Sequence, residues 1–312
     1  MNLNPHMKVH LFIPTLNAGK LWPKVIASIK SQTYPIDKII IIDSGSTDGS
    51  LELTLAENFE LIAIDKKDFD HGGTRQLAVT RFPEATIYVF MTQDAILASS
   101  DAIEILVDSF VSSPKIGMAY GRQLPHIEAK VLESHARLFN YPPKSQVRSL
   151  EDAPKYKIKT ISCSNSFAAY RKEAFEESGG FPSGTILGED VLLAGAMLMK
   201  GWEMKYVAES AVYHSHDYSA MEEFKRYFDI GVFHADNQWI FENFGRAESE
   251  GFNYLKSEFR YVISKNFLIL PKSVLSLFAK WLGYKLGMIH RQIPSPLKRS
   301  LSMTKGYWNS EE

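Results

Sequence analysis

Short runs of β-branched and aromatic residues alternate with helical spacings over the first 125 residues of the chain. Four such runs predict strands, at residues 9–14, 38–43, 60–65 and 86–90. Between the first two, Trp22, Ile26 and Ile29 recur at the spacing of an α-helix. Strands that alternate with helices predict βαβ units and a mostly parallel sheet with helices on both faces. Because ligands bind such sheets at the carboxyl ends of the strands, we expect the functional residues there.

After residue 125 the pattern becomes irregular and then helical. A stretch rich in Pro, Lys and Ser at residues 141–157 predicts a loop or a lid. The run GEDVLLAGAMLMKGW predicts an amphipathic helix that begins at Glu189. Helical spacing with many aromatic residues continues from Ser219 to about Met288, so the chain is expected to end in helices.

Charge is divided unevenly along a chain that is nearly neutral overall. The 312 residues carry a net charge of −1, which gives no indication of nucleic-acid binding. Residues 251–312 contain ten Lys and Arg against three Asp and Glu, a net of +7, so the first 250 residues carry −8. This basic, apolar tail predicts an anionic partner such as a membrane surface, or else a solvated helical face.

Cysteine content and hydropathy predict a soluble or peripheral protein. The single Cys163 excludes an internal disulfide and suits a reducing compartment. The N-terminus lacks the basic-then-apolar order of a signal peptide. No apolar run reaches the roughly 20 residues that span a bilayer, because the best candidate, residues 267–279, is interrupted by Pro271 and Lys272.

Small polar residues and glycines follow the first two predicted strands. PTLNAG (14–19) follows the first strand and DSGSTDGS (43–50) follows the second. Backbone amides and short side chains in such segments can approach a nucleotide closely, and Asp43 can accept hydrogen bonds from a base or a ribose. Turn formation and helix capping account for the same residues, so the pattern alone leaves both interpretations open.

Charged residues follow the other two predicted strands. In FDHGGTR, the glycines permit close backbone approach and Thr74 can cap the next helix, which places Arg75 in its first turn. A cation there opposes the helix dipole, so Arg75 is either a ligand for a diphosphate or an ordinary surface residue. In FMTQDAI, Asp94 directly follows a buried strand and is a candidate ligand for Mg²⁺ or Mn²⁺, or else a helix cap.

Two further segments carry carboxylates and imidazoles. Asp190 stands at the start of a predicted helix, where the dipole stabilises a carboxylate as the anion. That suits a general base that must stay ionised, although a plain helix cap explains it as well. In VYHSHDYS, His214 and His216 lie on one side of an extended segment beside Asp217, so they are candidates to bind a metal or a phosphate. An isolated histidine is more often structural.

Taken in their order and spacing, these segments resemble the GT-A glycosyltransferases of family 2, from Val9 to about Tyr218. The resemblance implies an α/β fold with a Rossmann-like, mostly parallel sheet flanked by helices and a helical C-terminal segment. It implies that a nucleotide-sugar is bound by Pro14, Thr15, Asn17, Asp43, Ser44, Gly73, Thr74, Arg75 and Gln93. The metal motif of that family is usually Asp-x-Asp, and here Thr92-Gln93-Asp94 retains only the second acid.

The resemblance also implies roles and substrates. Asp190 would be the base of an inverting displacement, and Glu189 would orient the acceptor or its loop. Asp94, joined by His214 or His216, is expected to bind the Mg²⁺ or Mn²⁺. The segments FDHGGTR, TQDA and GYKLG are most similar to bacterial rhamnosyltransferases that use dTDP-L-rhamnose. The expected acceptor is a glycan or an undecaprenyl-diphosphate-linked sugar at the cytoplasmic face of the bacterial inner membrane.

These expectations divide the chain into two parts. Residues 1–220 would form the catalytic domain, with a nucleotide-binding part at 1–125 and an acceptor-binding part at 126–220. Residues 221–312 would form a helical segment that contacts an anionic membrane surface or a second copy of the chain, as in a homo-oligomer.

Three other classes of function compete with this interpretation. A metal-dependent hydrolase built around His214, His216, Asp217 and Asp94 leaves the two loops that suit a nucleotide without a role. A Rossmann dehydrogenase requires G-x-G-x-x-G after the first strand, where PTLNAG stands instead. A non-catalytic binding module has no need of the charged residues that follow the strands.

Overall fold

The chain folds as alternating strands and helices followed by a run of helices, and the computed structural model describes residues 7–246 and 248–311. The strands are β1 (Val9–Thr15), β2 (Lys38–Asp43), β3 (Glu60–Ala63), β4 (Ile87–Met91), β5 (Ile96–Leu97), β6 (Ile116–Leu124), β7 (Gln146–Arg148), β8 (Phe167–Arg171) and β9 (Glu203–Tyr213). The α-helices are α1 (Trp22–Lys30), α2 (Ser50–Ala56), α3 (His71–Arg81), α4 (Ala102–Ser112), α5 (Val131–Asn140), α6 (Ala153–Tyr156), α7 (Lys172–Glu177), α8 (Glu189–Met199), α9 (Ala220–Asp236), α10 (Trp239–Phe244), α11 (Glu248–Asn266), α12 (Leu270–Met288) and α13 (Ser295–Leu301). The four predicted strands correspond to β1 to β4, and α8 begins at Glu189 as predicted.

One mixed sheet contains these strands, in the order β3-β2-β1-β4-β8-β6-β9-β5, with β7 on β9. Strands β3, β2, β1 and β4 are parallel, which confirms the prediction for the first 125 residues. Beyond β4 the sheet departs from the mostly parallel prediction, because β8 is antiparallel to both β4 and β6, and β5 and β7 are antiparallel to β9. Strand β6 then runs parallel to β9. The carboxyl ends of β1, β4, β6 and β9 therefore lie along one edge of the sheet.

Alternate residues of the central strands point to opposite faces, and helices cover both. On β1, Leu11 and Ile13 pack with α1 and α4, while Phe12 packs on the other face with residues of α3, α7, α8 and α9. The rings of Phe12 and Phe90 stack with centroids 5.1 Å apart. Burial of each such side chain contributes about 1.5–3 kcal/mol, so the two layers hold the strand ends in place.

The C-terminal helices share this core with the sheet. Phe228, Ile240 and Trp308 are buried in the same cluster as Phe12 and Phe90. The boundary at residue 220 and the functional parts assigned to each side of it stay predictions. The expected loop at residues 141–157 is wrong, because β7 pairs with β9 there and α6 follows it.

Helices α9 and α12 meet backbone to backbone through three glycines. A Cβ atom on Gly287 would lie 2.1 Å from the carbonyl oxygen of Phe228, and one on Gly283 would lie 2.2 Å from that of Phe224. A Cβ on Gly231 would lie 2.4 Å from the carbonyl oxygen of Tyr284. Small residues allow helices to approach this closely, and here they exclude any side chain from the contact.

The opposite side of α12 is apolar and exposed. We call this surface the apolar face; its six large residues, each between 50% and 72% exposed, are Phe267, Leu268, Val274, Leu275, Phe278 and Trp281. In the described part of the chain, the helical stretch Glu250–Met288 is by length and composition apolar enough to cross a membrane, with a window of mean hydropathy 1.4 that is 22% buried. The expectation that no segment here is long and apolar enough to span a bilayer is therefore wrong, although a 3₁₀ turn at Phe267–Ile269 separates α11 from α12.

Candidate functional site

A cavity of about 360 Å³ opens where β1, β4 and β9 end. We call it the strand-end cavity; it is lined by Pro14, Thr15, Leu16, Phe69, His71, Arg75, Thr92, Gln93, Asp94, Ser166, His214, His216, Tyr218 and Arg226. The fold thus brings together seven of the predicted site residues: Pro14, Thr15, Arg75, Gln93, Asp94, His214 and His216. Asn17, Asp43, Ser44, Gly73 and Thr74 are not among its lining residues.

Asp94, His214 and His216 form a triad in this cavity. The Nε2 atom of His214 lies 3.4 Å from Asp94 Oδ1, and Nε2 of His216 lies 3.6 Å from Asp94 Oδ2. One ligand atom from each of the three residues lies within 4.8 Å of the others. Asp217 points elsewhere, since its carboxylate pairs with Lys130 and Lys272.

Neighbouring groups determine which nitrogen of His214 donates a hydrogen bond and lower the pKa of His216. Oε1 of Gln123 lies 2.9 Å from His214 Nδ1 and also accepts a hydrogen bond from Arg137. Because a carbonyl oxygen only accepts, His214 donates through Nδ1, and its Nε2 is the nitrogen that faces Asp94. Burial and the nearby His214 lower the pKa of His216 to about 4, so the His216 imidazole is neutral at physiological pH.

The loops after β1 and β2 brace each other. The amide of Thr47 donates to Asn17 Oδ1 at 2.8 Å, and the Thr15 hydroxyl donates to Asp43 at 3.0 Å. Asp43 also accepts from Gly45 and Ser46, so in this structure it serves the turn, as one of the two interpretations expected. The Gln93 side chain bonds both the N–H and the carbonyl of Leu16. Ser44 is buried beside this turn.

The start of α3 differs from the prediction. Asp70, not Thr74, caps the helix, and it accepts a hydrogen bond from the amide of Gly73. The helix begins at His71, so Arg75 lies in its second turn. A Cβ on Gly72 would lie 1.8 Å from the carbonyl oxygen of Pro182. The glycine is therefore needed for the close approach of the protein's own backbone, and not for that of a ligand.

Arg75 is a buried residue and not a surface one. Its guanidinium donates to the His71 carbonyl at 2.7 Å and lies 3.1 Å from the carboxylate of Glu189. Asn165 also donates to Glu189, at 3.0 Å. Although burial opposes ionisation, Arg75 and His71 lower the pKa of Glu189, so we assign it a negative charge.

Asp190 is not a lining residue of the strand-end cavity, but it contacts segment 162–166, whose Ser166 lines that cavity. Its carboxylate accepts hydrogen bonds from the amides of Asn165, at 2.9 Å, and Val191, at 2.8 Å. Burial and the charge of Glu189 nevertheless raise its pKa to about 6. This direction is opposite to the one expected from the helix dipole, because desolvation outweighs the two hydrogen bonds. A carboxylate with this pKa is an effective base near neutral pH.

Arg226 of α9 is a lining residue that the sequence did not reveal. Its guanidinium makes no hydrogen bond or ion pair with any described residue, and it acts electrostatically on His71, His216 and Tyr218. A half-buried cation without a partner, next to a carboxylate and two imidazoles, suits an anionic ligand such as a diphosphate. No local pattern distinguishes it from the other charges of α9; only the packing of α9 against the strand ends does.

Comparison with known proteins gives consistent matches. Residues 11–179 match the family described as Glycosyl transferase family 2. The chain is 51% identical to the O-antigen chain rhamnosyltransferase RfbN of Salmonella typhimurium, over 97% of each chain. It is 42% identical to the O-antigen chain rhamnosyltransferase WbaN of Salmonella anatum, over 96% of this chain and 95% of that protein.

Solved structures share the fold. The mannosyltransferase PcManGT of Pyrobaculum calidifontis, solved with GDP-Man and Mn²⁺, has a TM-score of 0.57 at 17% identity and matches 98% of this chain and 86% of its own. TarS 1-349 of S. aureus, solved with UDP-GlcNAc, has a TM-score of 0.53 at 16% identity over 98% of this chain and 90% of its own. At such identities the likeness concerns the fold alone.

Proposed function

This chain belongs to glycosyl transferase family 2, and on that basis we propose that it transfers L-rhamnose from dTDP-L-rhamnose to a glycan of a bacterial surface polysaccharide. The observation that carries the proposal is the 51% identity to an O-antigen chain rhamnosyltransferase over 97% of both chains. The strand-end cavity supports it, because the end of β1 lines the cavity together with two arginines suited to a diphosphate.

In the proposed reaction the acceptor hydroxyl loses its proton to Asp190 as it attacks the anomeric carbon. The bond from that carbon to the diphosphate breaks, which inverts the carbon. Arg226 and Arg75 would receive the charge that develops on the leaving diphosphate. Glu189 is assigned to hold Arg75 and Asn165 in position, and its predicted role toward the acceptor would act through them.

Asp94, His214 and His216 would hold the metal, and they fit Mn²⁺ better than Mg²⁺. The fit rests on the two imidazoles beside the one carboxylate, since imidazole nitrogen suits a transition metal and Mg²⁺ prefers oxygen. When bound there, the cation would supply positive charge that offsets part of the negative charge of the donor diphosphate.

Ligand-induced thermal shifts test the donor. Titration with dTDP-L-rhamnose, UDP-glucose and GDP-mannose, with and without Mn²⁺, should show the largest shift for dTDP-L-rhamnose with Mn²⁺. The variant Asp94→Asn should fold normally and lose the part of the shift that depends on Mn²⁺. If UDP competes with the donor far better than dTDP does, the rhamnosyl assignment is wrong. An equal shift with and without Mn²⁺ would remove the metal from the proposal.

The hydrolase alternative is weakened because Asp217 is tied to two lysines and does not join the triad. The binding-module alternative gives no reason for a buried carboxylate with a raised pKa at Asp190. Neither alternative uses the braced loops after β1 and β2.

The acceptor is proposed to be an undecaprenyl-diphosphate-linked sugar, met at the cytoplasmic face of the inner membrane. The apolar face supports this, because its large side chains are at least half exposed and lie in the segment that carries a net charge of +7. Three lysines of this basic segment are already engaged within the chain, however, the first being Lys272, which pairs with Asp217. Lys280 is paired with Glu223 at 3.3 Å, and Lys298 is buried.

A further inference from the structure

A second cavity, of about 420 Å³, lies between β6, β9, α5 and α6. We call it the aromatic cavity, because its walls include the rings of Tyr120, Phe139, Tyr141, Tyr156 and Tyr206. Its volume falls in the range of about 300–1,000 Å³ that is typical of small-ligand pockets. The segments that follow β1 to β4, at residues 14–19, 43–50, 69–75 and 90–96, contribute no lining residue to it.

The aromatic cavity lies beside Asp190. Ser162 and Cys163 line it, and two residues further on the amide of Asn165 donates to Asp190 at 2.9 Å. Ser166 of the same segment lines the strand-end cavity. Segment 162–166 therefore contributes lining residues to both cavities, and its Asn165 amide holds the carboxylate of Asp190 between those residues.

The walls of this cavity combine aromatic rings with polar groups that have no partner. The amide of Gln146 and the hydroxyl of Ser162 make no hydrogen bond to any residue that the structure describes. Arg148 is already occupied, since its guanidinium donates to the Lys159 carbonyl and the Tyr120 hydroxyl. The negative face of an aromatic ring attracts the weakly positive C–H groups of a pyranose, and free amide and hydroxyl groups can bond its hydroxyls.

We propose that the aromatic cavity binds a neutral pyranose ring of the acceptor and presents its reactive hydroxyl to Asp190. This inference rests on the proposed glycosyl transfer. It assigns the donor to the strand-end cavity and the acceptor ring to the aromatic cavity, which share segment 162–166, so that acceptor recognition can be changed without affecting the donor.

Steady-state transfer tests the assignment through variants on neighbouring positions. Transfer from radiolabelled dTDP-L-rhamnose is followed while organic extract of bacterial membranes supplies the acceptor. Gln146→Ala and Tyr156→Ala should each raise about tenfold the amount of extract that gives half the maximal rate, as expected for the loss of one contact. The donor KM should stay within about twofold of the wild type. Val147→Ala is the matched control, because Val147 lies between Gln146 and Arg148 on β7 and is 47% exposed. Unchanged half-saturation in both folded variants would overturn the proposal, and so would an equal rise in the donor KM.

The only cysteine of the chain provides a test that does not depend on transfer. Alkylation of Cys163 by iodoacetamide is followed by intact mass at alkaline pH, because burial raises the pKa of its thiol. At least one methyl hexoside from a gluco, galacto and manno set should slow alkylation, and the effect should weaken in Gln146→Ala. Equal rates with every hexoside would overturn the proposal, and protection by inorganic phosphate alone would make this an anion site. If the wild type transfers no rhamnose but a hexoside protects Cys163, the donor assignment fails and the cavity assignment stands.

Discussion

Asp190 is harder to ionise than an exposed aspartate, and this property predicts how the rate depends on pH. Since its pKa is raised to about 6, transfer should fall as the pH drops through about 6, where the base becomes protonated. Asp190→Asn should lower kcat by about 10²- to 10⁴-fold and leave the donor Kd unchanged. Both quantities are obtained from transfer kinetics and donor titration.

Asp217→Asn is the control for this substitution. Asp217 is also an aspartate near the site, but it pairs with lysines, so kcat should stay within about twofold of the wild type, as expected of an exposed ion pair. A normal kcat in Asp190→Asn would show that Asp190 only caps the helix. Loss of donor binding would show that Asp190 contributes to the donor site.

Arg226 should matter for the donor although it lies outside the part of the chain that matches the family. Because its guanidinium has no hydrogen bond or ion pair with a described residue, Arg226→Ala removes neither and should leave stability nearly unchanged. Loss of a charged hydrogen bond to the diphosphate should lower kcat/KM about 10- to 100-fold. Lys225→Ala, one position away and outside the strand-end cavity, is the control. Equal effects of the two substitutions would indicate only a change in the net charge of α9.

Single residues were predictable where they follow a strand that the sequence reveals. Asp94 follows β4, and the spacing of His214 and His216 in an extended segment places both on one side, so the triad could be anticipated. Arg226 could not, since an arginine on a helix reads as solvated until the neighbour of that helix is known. The pKa of Asp190 was expected in the wrong direction, because the helix dipole is visible in a sequence and desolvation is not.

The packing of α9 against α12 should be disturbed by a single added methyl group. In Gly287→Ala the new Cβ would lie 2.1 Å from a backbone carbonyl, so the helices must separate. We expect a loss of at least about 1–3 kcal/mol in the free energy of unfolding, as in other overpacked contacts. Gly251→Ala should instead gain up to about 1 kcal/mol, since Gly251 lies on α11 with nothing within 4 Å of its Cβ position. Urea titration measures both, and equal effects would contradict the backbone contact.

Elements were predictable in the first half of the chain and less so in the second. Strands β1 to β4 are continuous buried runs between clear turn residues, so their positions and parallel order followed from the pattern. Strand β7 has only three residues and forms because β9 supplies its partner, so residues 141–157 read as a loop. The antiparallel direction of β8 follows from its pairing with β4, which lies more than 70 residues earlier in the sequence. No local window of the sequence contains both strands.

At the scale of the whole molecule, the apolar face predicts binding to lipid. The protein should float with vesicles that contain anionic lipid and be released by salt. Phe278→Glu should weaken flotation, whereas Leu55→Glu should not, although Leu55 on α2 is as exposed, at 55% against 54%. Removal of residues 251–312 is unsuitable as a test, because Trp308 belongs to the core. If the wild type stays at the bottom at low ionic strength, the apolar face belongs to a second copy of the chain.

The glycine contact between α9 and α12 has a consequence for reach. Helices that touch through their backbones cannot slide past each other, so the register between Phe278 on α12 and Arg226 on α9 is fixed. With α12 seated on lipid as proposed, the strand-end cavity stands at a constant height above the membrane surface. The enzyme then acts as a ruler: it should prefer acceptors whose reactive sugar is separated from the lipid by one particular length of glycan.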